Sequence, residues 1–374
     1  MFVLIGWTGL LIPSLIRSVK DGFDQSDAGI GAFYFLYAVA YASGSFGGGL
    51  VTERIGRHAV LSIAAALHGG ALIALGIAPS WAIFLLAAVP AGLGAGALDG
   101  GINGLFLDLY RTGRGQALNL LHLFFSLGAL SAPLAVGRLI EGGVPWGTIL
   151  VGSGVVAIPF ALVLGVAPMP GGQRIRDPGL AFPTAARHRA IGLRGRVSAP
   201  LLLLGLAISV YVASEVGVSN WLVRFLEPVP VGEATTALAL FWGGLTLGRL
   251  LSARIADRVD HLAFTMLSVT VMSVALLGAI LSPSVPLAIA LFALTGFASG
   301  PIFPMIIAIG GERHPDRSAA VAGVLAGAAV IGSVVYPPVM GLLSVTVGLT
   351  IAMLGNVVLG LACLLALGLV RARG

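Results

Sequence analysis

Hydrophobic runs of about 20 residues recur along the whole chain, broken by short polar stretches. Each is long enough to cross a hydrocarbon core of ~30 Å. Twelve can be counted: roughly 1–17, 29–51, 58–78, 81–109, 115–138, 145–167, 199–224, 233–253, 262–281, 285–310, 318–344 and 347–370. Twelve such spans consume about 240 positions, which leaves short loops and no room for a large soluble domain. The first run lacks a basic leader and is followed by further spans, so it reads as a span and not as a cleaved signal. One long polar segment, 168–198, rich in Pro, Gly and Arg, separates six spans from six. The pattern predicts an all-α membrane protein with twelve transmembrane helices in two pseudo-symmetric bundles. Those bundles are 1–167 and 199–374, joined by a cytoplasmic linker.

The halves resemble each other. Gly44, Gly48 and Arg54-Ile55 recur 200 positions later as Gly244, Gly248 and Arg254-Ile255. Gly92 and Gly96 recur 204 positions later as Gly296 and Gly300, and Gly128, Pro133 and Gly137 as Gly332, Pro337 and Gly341. Matches in order and in register predict parallel six-helix repeats, with a binding site near the bilayer midplane at the repeat interface.

Composition sharpens this reading. With 57% hydrophobic and 10% charged residues, a net charge of +6 need not signal nucleic acid. With the N-terminus inside, sixteen basic residues fall on the cytoplasmic side and four outside, leaving Arg249 within a span. That bias places both termini in the cytoplasm. The 54 glycines suit close helix packing in lipid. Cys363 is the single cysteine, so no internal disulfide can form. Lys20 is the single lysine, so no GxxxxGK[ST] loop exists to bind ATP. No His pair at i, i+4 and no Gly-x-Ser-x-Gly elbow is present, which removes metalloprotease and esterase chemistry. Neither an enzyme activity, a metal nor an organic cofactor is expected. Active transport on this chain would draw on an ion gradient, with a proton or a sodium ion as the coupling ion.

The second span ends in GGGLVTERIGRH, residues 47–58. This resembles the cytoplasmic signature of the major facilitator superfamily, with Gly49, Glu53, Arg54, Gly56 and Arg57 matching and Glu53 standing where Asp is usual. The second-half copy, GRLLSARIADR, is degenerate. The resemblance implies the major facilitator fold. It also implies a cytoplasmic gate in which Arg54 or Arg57 pairs with Asp108 at the inner end of span four.

Span four carries Gly92, Gly96, Gly100 and Gly104 on one helical face, a row expected to pack against Gly44 and Gly48. Asp99 and Asn103 form the adjacent row, about 100° round the helix. A carboxylate facing lipid costs ~2.5–3.5 kcal/mol, so Asp99 should face a cavity or a partner. LDGGINGLF (98–106) and QALNLLHLFFSLGAL (116–130) resemble the fucose–proton symporter family within the superfamily, as do YVASEVGVSNWLVRFL (211–226), FWGGLTLGRLL (241–251) and GPIFPMIIAIG (300–310). By that resemblance Asp99 falls on the proton-carrying acid, Asn103 on the span-four asparagine, and Asn119 on the asparagine of Leu-Asn-Leu. His122 falls where glutamine also occurs. The fucose symporter's acid in span one has no counterpart in MFVLIGWTGLLIPSLIRS.

Glu215, within span seven, joins Asp99 and His122 as a proton-coupling candidate, His122 because imidazole titrates near neutrality. Asn220, Trp221, Trp242, Tyr336 and Trp7 suit a sugar, whose C–H faces stack on aromatics and whose hydroxyls meet amides. Trp221 also fits an interfacial belt. Arg249, near the inner end of span eight, suits a gate or a lipid headgroup. The reading is a secondary transporter in the cytoplasmic membrane that takes up a neutral sugar, or a similar polar solute, with a proton by alternating access. Its partners are a small-molecule substrate and the lipid bilayer, with no nucleic acid, and a monomer is the superfamily default. The alternatives are a proton-driven exporter of amphipathic compounds, sodium-coupled sugar uptake, and a non-transporting receptor or scaffold.

Overall fold

The computed structural model describes residues 1–110, 114–167, 169, 198–255 and 258–373; the side chains of 107, 114–119, 316 and 319 also lie outside the described set, as does nearly all of the 168–198 linker. In chain order the helices are α1 (Phe2–Gly9), α2 (Leu11–Gly22), α3 (Asp27–Ile55), α4 (Arg57–Gly76), α5 (Trp81–Leu109), α6 (Arg114–Glu141) and α7 (Trp146–Val166). They continue as α8 (Ala199–Phe225), α9 (Val231–Ile255), α10 (His261–Leu281), α11 (Val285–Ser299), α12 (Ile302–Arg313), α13 (Ser318–Val347) and α14 (Leu349–Ala372). Ser26, Ser80, Ser198 and Asp260 cap the starts of α3, α5, α8 and α10 by accepting a backbone N–H three residues on.

Among the described residues, eleven stretches are long and apolar enough to cross a membrane, α1–α2 and α11–α12 each counting as one. The remaining span, α3, has 29 residues, about 43 Å at 1.5 Å per residue. Tyr34, Tyr37, Tyr41 and its glycines and serines lower its hydropathy. Two spans expected to be continuous are broken. The first breaks at Leu10, because Pro13 has no N–H to offer the Gly9 carbonyl, and it runs on to Gly22, which brings Asp21 out of the expected loop into the last turn of α2. The tenth breaks at Gly300-Pro301. Pro90, Pro133, Pro159, Pro337 and Pro338 stay inside unbroken helices.

The helices form two compact units, Met1–Ala181 and Phe182–Gly374. In the first, α3 packs on α5, α4 on α7 and α5, and α1 on α6. A Cβ on Gly96 would collide with the Tyr41 carbonyl, on Gly92 with the Tyr37 carbonyl, and on Gly44 with the Leu93 carbonyl. These helices touch backbone to backbone, which only glycine permits. The expected row ends early, since Gly104 faces open space. In the second unit α9 packs on α11 and α8 on α13 and α14. Gly296 meets the Phe241 carbonyl, Gly300 that of Leu245 and Gly244 that of Ala293, reproducing the α3–α5 seam. Gly128 against Val3 and Gly332 against Ser209 are likewise equivalent contacts, α1–α6 in one unit and α8–α13 in the other. The glycine repeats mark equivalent helix seams.

Leu61, Ala65 and Leu98 centre the first core, and Tyr211, Val269, Ile302 and Leu325 the second. Outward, side chains such as Leu86 (67% exposed) and Val166 (84%) are apolar and uncovered. Such a surface is suited to lipid.

Candidate functional site

In the first unit, Asp99 on α5 is enclosed by neutral donors. Tyr41 Oη of α3 donates to Asp99 Oδ2 at 2.8 Å, and Asn103 Nδ2 donates to Asp99 Oδ1 at 3.0 Å. Asn103 Nδ2 also donates to the Asp99 carbonyl at 2.9 Å, which fixes the orientation of its amide. The placement follows from the seam. Gly96 lets α3 approach until Tyr41 lies one turn from Asp99, and the i, i+4 spacing brings Asn103 to the same carboxyl. Each oxygen of the ionised carboxylate thus accepts one donor. If Asp99 takes a proton, the pinned amide cannot turn, so the new O–H must point at Tyr41 Oη, which then accepts. Tyr41 was not singled out in the sequence, although Tyr34, Tyr37 and Tyr41 share one face of a span that is otherwise apolar.

At the signature between α3 and α4, Arg57 Nη2 pairs with Asp108 Oδ2, joining the start of α4 to the end of α5. Arg57 makes this pair, while Glu53 and Arg54 are exposed. Gly56 turns the chain between α3 and α4 at φ +86°, a conformation few other residues adopt.

In the second unit, Tyr211 Oη contacts Glu215 Oε2 one turn along α8 and lies 2.8 Å from the Ser299 carbonyl at the end of α11. Arg249 of α9 is close enough for its charge to act on Glu215. Its Nε approaches the Gly300 carbonyl at 3.5 Å, at the break in span ten. Tyr211 stands four residues before Glu215, a spacing visible in the sequence and left unused.

The other candidates are distributed through the two units. Trp7 Nε1 donates to Ser153 Oγ at 2.9 Å, tying α1 to α7. His122 meets Phe2 edge-on, with ring centroids 5.7 Å apart. The side chain of Asn119 lies outside the described residues. Trp242 Nε1 donates to Ser219 Oγ at 2.9 Å, next to the half-buried Asn220. Tyr336 donates to the Ala352 carbonyl at 2.9 Å, which commits its hydroxyl to α14. Trp221 is fully buried and donates to the Pro337 carbonyl at 2.9 Å, so the interfacial-belt reading does not hold. Sequence reasoning also passed over His68. It is buried between α1, α4 and α5, with Nδ1 2.9 Å from the Ala91 carbonyl and Nε2 3.0 Å from Thr8 Oγ1.

Two repeated helical units, each holding a carboxyl group inside a span against a tyrosine hydroxyl, define a multi-pass membrane transporter. The family model for the Major Facilitator Superfamily matches residues 1–227 and 201–373, and the chain belongs to that superfamily. Among curated relatives it is 26% identical over 384 residues to the glucose/galactose transporter of Brucella abortus (95% of this chain, 88% of that one). It is 21% identical over 359 residues to the uncharacterized MFS-type transporter YfkL of Bacillus subtilis (92% and 87%). Among solved structures, a bacterial homologue of the human lysosomal transporter Spinster, inward-facing and unoccupied, superposes with a TM-score of 0.82 at 17% identity, covering 99% of this chain and 95% of that one.

Proposed function

We propose that this protein carries a neutral sugar, or a similar polyhydroxylated solute, into the cell together with a proton. It would do so by alternating access in the cytoplasmic membrane, with both termini inside. The observation that carries the proposal is Asp99. A carboxyl group inside a span, held by two neutral donors, is costly while charged and cheap once protonated. Asp99 takes a proton from outside, its O–H turns onto Tyr41, and the neutral site passes through the occluded state. Release to the cytoplasm restores the carboxylate and both donors. The relative named a glucose/galactose transporter, aligned over nearly the whole chain, supports the substrate class. The resemblance of spans four and five to the fucose–proton symporter family supports the coupling ion.

Reconstituted protein in vesicles, with labelled glucose and galactose as probes, tests this. Accumulation should follow an imposed inside-alkaline gradient and vanish with a protonophore. Accumulation driven by a sodium gradient alone would transfer the coupling role to sodium. Hexose that moves only outward against an inward proton flux would replace uptake with export.

A further inference from the structure

The break in span ten meets Tyr211, which in turn touches Glu215. Pro301 and Pro304 carry no N–H, so the carbonyls of Phe297 and Gly300 lose the donors that a continuous helix supplies. Inside a membrane, freed backbone groups must find partners within the protein. The Gly300 amide reaches the Phe297 carbonyl at 3.3 Å, Arg249 Nε approaches the Gly300 carbonyl at 3.5 Å, and Tyr211 Oη serves the Ser299 carbonyl at 2.8 Å.

Tyr211 Oη also touches Glu215 Oε2, and a phenol has one proton to give. With Glu215 ionised, a carboxylate and a carbonyl compete for that proton. The charged acceptor wins, because charge-assisted hydrogen bonds are roughly twice as strong as neutral ones. The Ser299 carbonyl is then left without this donor. With Glu215 protonated, its own O–H donates to Tyr211 Oη, and the phenol proton returns to Ser299. One proton is gained by the carboxylate and none is lost by the phenol.

We propose that Tyr211 is a positioning residue that couples the protonation of Glu215 to the α11–α12 break, tying the break when Glu215 is neutral and releasing it when Glu215 is charged. The charged and titratable groups around Glu215 fit this assignment. Arg249 faces it from α9, and Cys363 of α14 acts on Tyr211. Tyr336 of α13 packs two residues further along α8, at Gly217, and His314, just beyond α12, meets Ser198 at the far end of α8. None of these supplies the Ser299 carbonyl with a second donor. The inference rests on the proposed proton coupling only for its use in transport; the hydrogen-bond exchange itself needs neither sugar nor gradient.

Hydrogen–deuterium exchange of the full-length purified protein, followed on peptides covering 300–306 from pH 5 to 8 and corrected for intrinsic exchange, tests it. In the wild type, protection of the break should fall about three- to tenfold as pH rises, the size of one lost hydrogen bond. Glu215→Gln keeps a donor on Tyr211 at every pH and should stay protected throughout. Tyr211→Phe should be unprotected and flat. A wild-type break whose protection ignores pH, or a pH dependence that survives in Glu215→Gln or Tyr211→Phe, overturns the proposal. Should Tyr211→Phe not fold, Glu215→Gln decides alone. Failed hexose uptake with an intact exchange profile would remove the transport reading and leave the tie standing. The reverse pairing of results would remove only the tie.

Discussion

The two units solve the same packing problem with the same glycines, yet they hold their carboxyl groups differently. Asp99 has two neutral donors, Tyr41 and Asn103, among the described residues. Glu215 has one tyrosine, a neighbouring cation in Arg249, and a rival acceptor in the Ser299 carbonyl. The difference teaches that a repeat can conserve its seams and still divide its chemistry. The first unit holds an acid that pairs with no cation among the described residues, which suits a proton that comes and goes. The second holds an acid with a cation in its neighbourhood and a tyrosine shared with the backbone of a broken helix.

The seams give the largest expected effect. Gly96→Ala and Gly296→Ala each drive a methyl group into a carbonyl of the facing helix, where backbone cannot yield. Each should cost about 3 kcal/mol, read as a lower thermal midpoint in detergent, and by similar amounts. Gly104→Ala, facing open space, should stay within about 1 kcal/mol of wild type. Unequal losses at 96 and 296 would mean that the two seams are not equivalent.

The charges come next. Arg249→Gln removes the cation beside Glu215 and weakens the cap on the Gly300 carbonyl. It should destabilise by about 1–3 kcal/mol, with part recovered in Arg249→Gln/Glu215→Gln. Asp99→Asn, which strands no cation, should melt at or above the wild-type temperature. If Arg249→Gln melts like wild type, the asymmetry between the acids loses its electrostatic basis. The smallest effect belongs to Asp108→Asn. Its pair with Arg57 is partly exposed and should contribute at most about 1 kcal/mol. Its consequence should appear instead as faster labelling of single cysteines introduced at the start of α4 and the end of α5 in a Cys363→Ala background. Unchanged labelling would reduce the pair to a surface contact.

The sequence made some of this visible and hid the rest for physical reasons. Length and hydropathy are local properties, so the spans could be read from residue order, and glycines at i+4 spacing marked the seams. Asn103 was legible beside Asp99 because both lie on one helix. Tyr41 was not, because its meeting with Asp99 depends on how closely α3 and α5 approach. The breaks were hidden for another reason. Pro13 and Pro301 interrupt their spans while Pro90 and Pro133 do not, and a proline's effect depends on whether neighbours satisfy the freed carbonyl. Trp221 looked suited to an interface because indole is amphipathic. Its burial depends on the Pro337 carbonyl of α13, 116 residues away.

The central claim is that Asp99 carries the coupling proton, and Asp99→Asn tests it most directly. The amide keeps the shape of the protonated acid, donating to Tyr41 and accepting from Asn103, but it cannot release a proton. Counterflow exchanges labelled for unlabelled hexose without net proton movement, whereas accumulation needs a proton delivered on every cycle. In vesicles holding Asp99→Asn, accumulation under an inside-alkaline gradient should fall to the level of empty vesicles. Hexose counterflow should persist, and its dependence on pH should flatten. Undiminished accumulation with a wild-type pH profile would contradict the account and move the coupling site to Glu215 or His122.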